Sequence, residues 1–338
     1  MRLRARWFAR RSMNDLFSTR AKTLVGDRLQ ERVPLAAHTH FKVGGPARWF
    51  VDAMSGEELV KLIRLARETK TPWVVLGGGT NVLVSDAGFD GVVIKTGFRA
   101  IMIEKNGRVV AEAGALSSAL ARQTAEAGLT GLEWAISLPG TVGGAVRGNA
   151  GCFGGEVKDH LVSIATYDPE MDREIMVSAA ACEMTYRESI FKRQPWIILS
   201  VALQCASAPA AETRARLEEV LKCRLESQPK NEKCAGCAFK NVSFADSSAL
   251  DKLKTRVAEI PVRFFDHGHV PAGWLLDQLA LKGTRVGGAE VSAHHANFIV
   301  NDGTATASDI VQLLSVLKTR VYDETGLHLQ EEVQLIGF

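Results

Sequence analysis

Two cysteines in KCAGCAFKN, residues 233–241, are the first side chains whose spacing could do chemistry. Cys234 and Cys237 are separated by two residues, a spacing typical of a thiol–disulfide centre or of half a zinc site. A zinc site needs a second pair of ligands, and the sequence has no second cysteine pair to complete one. A redox pair normally opens a helix beside a thioredoxin-like strand, and no such unit surrounds this one. Chemistry by one of the two thiols alone remains open.

A run of three glycines in LGGGTN, Leu76 to Asn81, lies between two predicted strands. Consecutive glycines let the backbone approach a ligand and turn its N–H groups inward, which suits a pyrophosphate. The run is not a P-loop, because no Gly-Lys-Ser/Thr follows it. It is not the dinucleotide G-x-G-x-x-G either, because a strand follows instead of a helix. A plain tight turn is the alternative interpretation.

A second glycine-rich segment, Gly131 to Val157, holds eight glycines among 27 residues and few charges. A surface linker of this length would be richer in Ser, Lys and Glu. Buried glycine-rich backbone with small side chains suits a flat, extended ligand. The alternative is a crowded turn region in which backbones pack closely.

The elements around these segments predict an α+β protein. Ser55 and Glu58 form a capping-box pattern that predicts the start of a helix, and the apolar run at 196–206 is typical of a buried strand. The charged helix that follows, ETRARLEEVLKCRLES, starts what we interpret as a separate domain. Two more helices are predicted, PAGWLLDQLALKG ending at Gly283 and SDIVQLLSVLKTRVYDETG ending at Gly326, and then a strand in LQEEVQLIGF.

Composition is that of an ordinary soluble, cytoplasmic protein. A length of 338 residues predicts two or three domains, and a net charge of +3 does not indicate a nucleic-acid partner. Six scattered cysteines fit a reducing compartment. No stretch reaches the roughly 18 apolar residues that span a bilayer. His294 and His295 have no carboxylate or cysteine at ligand spacing, so we expect no metal. The arginine-rich residues 1–12 lack the apolar region of a signal peptide, and Met13 is an alternative start.

Six motifs occur in an order that resembles one enzyme family. They are LGGGTNVLVSDAGFDGVVIK, GLEWAISLPGTVGGAVRGNAG, YRESIFK, GCAFKN, RVGGAEVSAHHANFIVN and LQEEVQLIG. Together with HTHFKVGGPARWFV (38–51) they resemble the UDP-N-acetylenolpyruvoylglucosamine reductases, flavoproteins of bacterial peptidoglycan synthesis. The resemblance covers nearly everything from about residue 35 to 338.

The resemblance implies a fold of three parts. A two-part FAD-binding domain of the vanillyl-alcohol-oxidase/PCMH type would occupy 35–206, as subdomains 35–70 and 71–206. An α+β domain that binds the UDP-sugar would occupy 207–325, and the strand in 326–338 would return near the flavin. Residues 1–34 would form an N-terminal extension.

The resemblance also implies the reaction. Non-covalent FAD would take a hydride from NADPH and pass it from N5 to C3 of UDP-N-acetylglucosamine-enolpyruvate, and a proton at C2 would complete UDP-N-acetylmuramate. The protein would act as a monomer. For this reaction the protein must stabilise charge on the substrate carboxylate and supply a proton donor.

Site residues follow from the matched motifs. The pyrophosphate would lie along the first glycine run, at Gly77, Gly78, Gly79, Thr80 and Asn81. The flavin would lie along the second segment, at Pro139, Gly140, Thr141, Gly143 and Gly144. The sugar nucleotide is expected to meet Tyr186, Lys240, Asn241, Arg285 and His295.

The catalytic positions carry over from the same motifs. Arg187 in YRES matches the arginine that polarises the substrate, and a guanidinium stays charged and forks onto a carboxylate. Taken alone, it would be read as a surface arginine. Glu332 in QEEV matches the catalytic glutamate, with Glu331 as its neighbouring rival. Strand alternation would point these two side chains in opposite directions.

Cys237 departs from the family pattern, which normally has the proton-donating serine there. A free thiol has a pKa of about 8.5, so most of it carries a proton at neutral pH, and it is a far better acid than a hydroxyl. We therefore predict that Cys237 is the general acid and Cys234 a bystander. A packed cysteine without a catalytic role is the alternative.

The segment after Asn241 also departs from the family. Val242 stands where proline is usual, and residues 242–270 look longer than in relatives, either as a flap over the substrate or as a surface insertion. The chain lacks the insertion with a substrate-binding tyrosine after YRESIFK, so it resembles the shorter branch of the family.

Two rival functions remain at this level. The first is another FAD oxidoreductase of the same cofactor fold, in which His38 or His40 could tether flavin covalently. The second is a silent relative that only binds a UDP-sugar, against which the intact Arg187 and Glu332 argue.

Overall fold

The computed structural model describes residues 16–227, 232–243 and 268–338, together with positions 253, 254, 256, 257, 260–262 and 264. The alternative start at Met13 lies outside the described residues. So does most of the predicted longer segment 242–270. The two ends of that segment are described and pair with each other, as β15 (Val242–Ser243) and β16 (His269–Val270).

The chain forms two compact units that are interleaved in sequence. The first contains the chain up to Val33, Ala47–Gly78 and Phe89–Arg224. The second contains Pro34–Pro46, Gly79–Gly88 and the chain from Leu225 onward. The first glycine run therefore begins in one unit and ends in the other. The predicted domain boundaries are defined by what each domain would bind, and they stay a prediction.

One sheet of the first unit has four strands in the order β1-β2-β5-β3. These are β1 (Gln30–Pro34), β2 (Pro46–Ala53), β3 (Trp73–Leu76) and β5 (Phe89–Thr96), with β2 and β3 both parallel to β5. Two helices accompany it, α1 through residues 16–25 and α2 (Gly56–Glu68). The ring of Phe17 on α1 lies 5.0 Å from that of Trp49 on β2, so part of the predicted N-terminal extension belongs to this core.

The start of α2 confirms half of the predicted capping box. The Ser55 hydroxyl accepts a hydrogen bond from Glu58 N–H at 3.1 Å. The Glu58 carboxylate accepts instead from Met54 N–H at 2.7 Å and pairs with Arg28. It therefore ties the helix to the segment before β1.

The second sheet of the first unit is antiparallel, with five strands in the order β12-β11-β13-β7-β6. They are β6 (Ile101–Ile103), β7 (Arg108–Glu112), β11 (Leu161–Asp168), β12 (Arg173–Ser178) and β13 (Ile197–Gln204). β13 confirms the predicted buried strand, and its central place explains why its sequence is apolar throughout. Short pairs join β8 (Leu129–Thr130) to β14 (Ala206–Ser207), and β9 (Gly151–Cys152) to β10 (Gly155–Glu156).

Three helices follow in the first unit's sequence: α3 (Ser117–Glu126), α4 (Val142–Arg147) and α5 (Ala210–Ser227). α5 is the charged helix that we interpreted as the start of a separate domain. Its Leu217 is buried, and the Thr213 hydroxyl donates to Ala125 C=O on α3 at 3.1 Å. The helix up to Arg224 therefore belongs to the first unit.

The second unit contains a three-stranded antiparallel sheet, a parallel strand pair and two helices. The sheet is β17 (Arg285–Val286), β18 (Ala289–Val291) and β19 (Ile299–Asn301). The parallel pair is β4 (Val82–Val84) with β20 (Gln334–Ile336). The helices are α6 (Ala272–Gln278) and α7 (Ala307–Thr325).

Of the two helices of the second unit, one ends where the sequence predicts and the other ends earlier. α7 ends at Gly326 as predicted, with the glycine at φ +73°, and its apolar stripe Ile310, Leu313, Leu314, Leu317 and Val321 is buried. α6 stops at Gln278, before the predicted Gly283. Ala280 takes the left-handed conformation at φ +52°, and Leu281 N–H reaches back to Leu276 C=O at 3.0 Å. This is a Schellman-type end, with alanine where glycine is usual.

Candidate active site

The two glycine-rich segments meet in the first unit. A Cβ placed on Gly77 would lie 2.5 Å from the Thr141 hydroxyl oxygen, so only glycine permits this approach. Thr141 in turn caps α4, because its oxygen accepts from Gly144 N–H at 3.4 Å. The structure therefore brings together a residue predicted to line the pyrophosphate and two predicted to line the flavin.

The second segment is held by the strand end before α3. Gly143 N–H donates to Ala113 C=O at 2.9 Å and Val142 N–H to Ala115 C=O at 2.8 Å. A Cβ on Gly143 would lie 2.9 Å from that of Ala113. Gly140 has φ +101°. The close-packing interpretation thus accounts for part of the glycine content of this segment.

Gly79 shows the same crowding in the second unit. Its φ is +65°, and a Cβ would lie 2.0 Å from the carbonyl oxygen of His38. His40 N–H donates to Gly79 C=O at 2.9 Å. The third glycine of the run is therefore required by both its conformation and its neighbour.

Asn81 ends the run and joins it to the C-terminal strand. Its amide nitrogen donates to Glu332 C=O at 3.2 Å, and its backbone C=O accepts from Gln334 N–H at 3.0 Å. Its side-chain oxygen is buried and accepts no hydrogen bond from the described residues. A buried acceptor of this kind suits a donor from a bound group.

Sequence reasoning missed Ser117, which lies beside the second segment. Ser117 N–H donates to Gly140 C=O at 3.1 Å, and its hydroxyl is buried without a partner among the described residues. No motif around this serine indicates a binding role. Glycine cradles with buried polar atoms lacking partners fit a ligand that has phosphates and hydroxyls, as FAD does.

The loop that carries Arg187 is tied to the end of α4 and the strand after it. Arg187 has φ +56°, a conformation that non-glycine residues adopt rarely and that clusters at functional sites. Its guanidinium donates to Gly151 C=O at 3.1 Å and lies 5.4 Å from the centre of the Tyr186 ring. Two residues predicted to meet the substrate are thus in contact.

Asn149 and Ser189, which sequence reasoning also missed, fix this loop. Asn149 is fully buried, and its amide donates to Thr185 C=O at 3.0 Å and to the Glu156 carboxylate at 2.7 Å. The Ser189 hydroxyl donates to Arg147 C=O at 2.7 Å. These contacts hold the loop on both sides of Arg187.

The Cys237 segment and the Glu332 segment are neighbours in the second unit. Glu332 N–H donates to Ala238 C=O at 2.8 Å, and Lys240 N–H donates to Gln330 C=O at 2.9 Å. The pairing is antiparallel, with Phe239 opposite Glu331. Two predicted catalytic positions therefore lie on adjacent segments.

The structure separates the two candidate glutamates. Glu331 is engaged by α7, because Lys318 donates to its carboxylate at 2.7 Å. Glu332 follows it in the segment just before β20, and strand-like alternation there would point the two side chains to opposite sides. Glu331 therefore has a structural partner in Lys318, and Glu332 is the glutamate to which the resemblance assigns the catalytic role.

All six cysteines lie in the described part of the chain, and none forms a disulfide. The segment from Lys233 to Cys237 pairs with Asn301 and Phe298 and has one residue more than its partner strand, a bulge at which Gly236 has φ +77°. Burial raises the pKa of Cys182 and of Cys205 to about 11, so these two thiols are poor proton donors near neutral pH.

The other predicted substrate residues lie in the second unit. The side-chain carbonyl oxygen of Asn241 accepts a 3.3 Å hydrogen bond from Ala272 N–H at the start of α6. The Arg285 guanidinium pairs with Asp302 at 2.7 Å and also with Glu290, and both acids raise its pKa. His295 Nδ1 accepts from Asn297 N–H at 3.2 Å, and burial lowers the pKa of this ring.

Neither a metal-binding cluster nor a membrane-spanning helix occurs in the described residues. No group of three or more His, Cys, Asp and Glu side chains is placed to hold a metal ion in the described ranges. Within them, no helix combines the length and the apolar character needed to cross a bilayer.

Comparison with known proteins identifies the family. A model of the FAD binding domain matches residues 47–170, and a model of the C-terminal domain of UDP-N-acetylenolpyruvoylglucosamine reductase matches residues 228–336. The reductase of Solibacter usitatus (strain Ellin6076) is 39% identical over 306 residues, which cover 90% of this chain and 95% of that protein. The chain belongs to the UDP-N-acetylenolpyruvoylglucosamine reductase family.

Other members of this reductase family agree. The enzyme of Clostridioides difficile (strain 630) is 34% identical over 305 residues, covering 90% of this chain and 92% of that protein. The crystal structure of the reductase from Thermus caldophilus superposes with a TM-score of 0.70 at 34% identity, covering 91% of this chain and 99% of that one.

Membership in the reductase family settles the class of enzyme. The chain is an FAD-containing oxidoreductase, a UDP-N-acetylmuramate dehydrogenase of peptidoglycan precursor synthesis. The predicted order of domains is confirmed, because an FAD-binding domain is followed by the C-terminal domain of the reductase family. The C-terminal match separates the chain from other FAD enzymes that share the cofactor fold.

Proposed function

We propose that this reductase uses NADPH to convert UDP-N-acetylglucosamine-enolpyruvate into UDP-N-acetylmuramate, with Cys237 as the proton donor. The observation that carries the proposal is the pairing of the Cys237 and Glu332 segments through the 2.8 Å hydrogen bond from Glu332 N–H to Ala238 C=O. This pairing keeps a residue with a thiol and a residue with a carboxyl group on adjacent segments. Donors and carboxylates that act on one substrate must be positioned together.

The cofactor would be held by the two glycine-rich segments. Gly77, Gly78, Gly79, Thr80 and Asn81 would line the pyrophosphate, and Pro139, Gly140, Thr141, Gly143 and Gly144 the flavin. The approach of Gly77 to Thr141 supports this assignment, as does the buried Asn81 oxygen. When bound, FAD would supply the redox chemistry that links NADPH oxidation to reduction of the enolpyruvyl ether.

Arg187 would bind the substrate carboxylate. Negative charge grows there as hydride reaches C3, and a fixed guanidinium stabilises that charge without reorganising. The contacts of its loop with Gly151, Arg147 and Asn149 support this role, because they fix the arginine before substrate arrives.

Cys237 would then protonate C2. The S–H bond breaks, the proton forms a C–H bond at C2, and the resulting thiolate regains a proton from solvent before the next turnover. A thiol is mostly protonated at neutral pH and still acidic enough to transfer that proton. Glu332 would be the second acid at the reacting end, where its carboxyl group can hold or pass on a proton.

Tyr186, Lys240, Asn241, Arg285 and His295 would bind the diphosphate and sugar. The contact of Tyr186 with Arg187 supports the first of these. Arg285 is bound to two acids, so it would have to exchange an internal partner for a phosphate. The chain would act as a cytoplasmic monomer.

The decisive experiment measures NADPH oxidation by the purified protein with and without the enolpyruvyl sugar nucleotide, and identifies the product by mass spectrometry. We expect substrate-dependent oxidation and a product two mass units heavier than the substrate, since one hydride and one proton are added. Substrate-independent oxidation alone would overturn the proposal. NADH in place of NADPH tests the choice of donor.

A further inference from the structure

The short strand that carries Cys237 has two different sides. On one side, Ala238 C=O and Lys240 N–H bond to the backbone of the Glu332 segment. On the other side, the backbone of the neighbouring strand reaches only as far as Ala238, whose N–H donates to Asn297 C=O at 2.7 Å. Beyond that point the neighbouring chain turns away, since Phe298 N–H bonds back to His295 C=O at 2.9 Å. Among the described residues, Phe239 therefore has no backbone partner on this side.

The side chain of Asn297 takes the place of that missing partner. Its Oδ1 accepts from Phe239 N–H at 3.0 Å, and its Nδ2 donates to Phe239 C=O at 2.8 Å. Both residues are buried, with Asn297 3% and Phe239 1% exposed. A carboxamide has the same donor and acceptor as a peptide group, so it satisfies both backbone groups of Phe239 together.

The chain before Cys237 offers less restraint. Gly236 lies in the bulge at φ +77°, and a Cβ built on it would meet nothing within 4 Å. No side chain at this position packs against the rest of the unit. Cys237 itself is bridged to Phe298, and the clamp at Phe239 fixes the backbone two residues after the thiol.

We propose that Asn297 is a positioning residue that holds the Cys237 thiol for proton transfer. This inference rests on the proposed role of Cys237 and extends it to the residue that fixes it. Other side chains of similar size fail for stated reasons. Leucine has neither a donor nor an acceptor, and an aspartate carboxylate accepts from Phe239 N–H but repels Phe239 C=O.

The test compares Asn297→Leu and Asn297→Asp with Thr325→Val, a matched control in the same unit. Thr325 is also fully buried, and its hydroxyl also makes one donated and one accepted backbone hydrogen bond, to Val321 C=O and from Leu327 N–H. Rapid mixing measures flavin reduction by NADPH and substrate reduction by pre-reduced enzyme as separate rates. Mass spectrometry measures the rate at which iodoacetamide alkylates Cys237.

We expect Asn297→Leu to slow substrate reduction by about ten- to a hundredfold, because a shift of about 1 Å in a reacting group has effects of that size. Flavin reduction by NADPH should stay within about twofold, and the alkylation rate of Cys237 should change. Thr325→Val should alter neither the alkylation rate nor the ratio of the two flavin rates. In a Cys237→Ala background, Asn297→Leu should cause no further slowing of substrate reduction, since two residues that act as a unit are not additive.

Asn297→Asp keeps the proposal testable if the leucine variant does not fold. A protonated carboxyl group both donates and accepts, so substrate reduction relative to the parent enzyme should recover as pH falls from 8 to 6. Equal slowing of both half-reactions, or an unchanged alkylation rate of Cys237, would overturn the positioning role. A Cys237→Ala variant with normal turnover would instead refute the proton donor. The alkylation rate would still decide whether Asn297 positions the thiol.

Discussion

The side-chain amide of Asn81 donates a 3.2 Å hydrogen bond to the backbone carbonyl of Glu332, 251 residues later in the chain. Gln334 N–H returns a bond of 3.0 Å to Asn81 C=O, and beyond it β4 and β20 run parallel. The last residue of the run predicted to hold the pyrophosphate and the predicted catalytic glutamate are therefore fixed to each other. A substitution at either residue should therefore displace the other.

Asn81→Ala should weaken both FAD binding and catalysis. It removes the bond to Glu332 and the buried oxygen that is available to a ligand. Loss of one buried hydrogen bond costs about 1–3 kcal/mol, so we expect the FAD dissociation constant to rise about tenfold or more. Turnover at saturating FAD should also fall. Fluorescence titration of the apoprotein measures the first effect, with Asn106→Ala in an exposed turn as control. Unchanged FAD affinity in Asn81→Ala would contradict the assignment.

Gly79→Ala should destabilise the protein more than a glycine substitution that meets no neighbour. Gly26 is the matched control, since its φ of +59° resembles the +65° of Gly79 but a Cβ there meets nothing within 4 Å. An alanine in this conformation costs about 1–2 kcal/mol, and the collision with His38 C=O adds to that only at Gly79. Thermal unfolding compares the two variants. Equal losses of thermal stability would show that the contact of a Cβ at position 79 with His38 C=O is relieved without a cost in free energy.

Much of the fold could be predicted because its signals are local. The stripe on α7 is read from the spacing of its apolar residues, and the buried strand β13 from an uninterrupted apolar run. The capping serine of α2 lies three residues from its partner N–H. Each of these depends on neighbours within one or two turns.

The rest depends on contacts between distant residues, which leave no periodic signal. The parallel pairing of β4 with β20 and the assignment of 79–88 to the second unit are of this kind. So are the contacts of Asn149 with Thr185 and of Asn297 with Phe239, in each of which an asparagine side chain bonds to a distant backbone group. The early end of α6 was missed for another reason, since Ala280 adopts a conformation that sequence patterns assign to glycine.

Cys237 should tolerate serine better than alanine. Serine retains a proton on the same side-chain position and is the residue usual in the family, whereas alanine has none to give. We expect Cys237→Ser to keep substantial turnover and Cys237→Ala to lose about 10²- to 10⁴-fold, the range for a general acid. Rates of substrate reduction by pre-reduced enzyme measure the difference, and Cys234→Ala is the control for a nearby thiol. Normal turnover in Cys237→Ala would show that the proton comes from elsewhere.

His295 should make stability decline below neutral pH. Burial lowers its pKa below the usual 6.5, with Lys282 adding to the shift and Asp277 opposing it. Its contribution is complete above pH 6.5. Below that, the unfolded chain binds a proton that the folded ring does not, so stability falls as pH drops towards the folded pKa. The slope for one group is at most about 1.4 kcal/mol per pH unit.

Urea unfolding at pH 7.5, 6.5 and 5.5 measures this dependence. His295→Gln should flatten it, since the amide does not titrate, while His328→Gln at an exposed position should leave it unchanged. A His295→Gln variant that loses stability as steeply as the parent would place the titrating group elsewhere.

Glu331 and Glu332 offer the sharpest contrast, because they are adjacent and chemically identical. Glu331 forms a half-exposed ion pair with Lys318, and such pairs contribute about 0.5 kcal/mol. Glu331→Gln should therefore keep full turnover and lose little stability. Glu332→Gln should slow turnover by about 10²-fold or more while it retains the strand and its hydrogen bonds. Steady-state NADPH oxidation and thermal unfolding on both variants separate the two roles. If Glu331→Gln is the inactive variant, the catalytic role belongs to Glu331. The reacting carboxylate would then belong to the residue that pairs with Phe239.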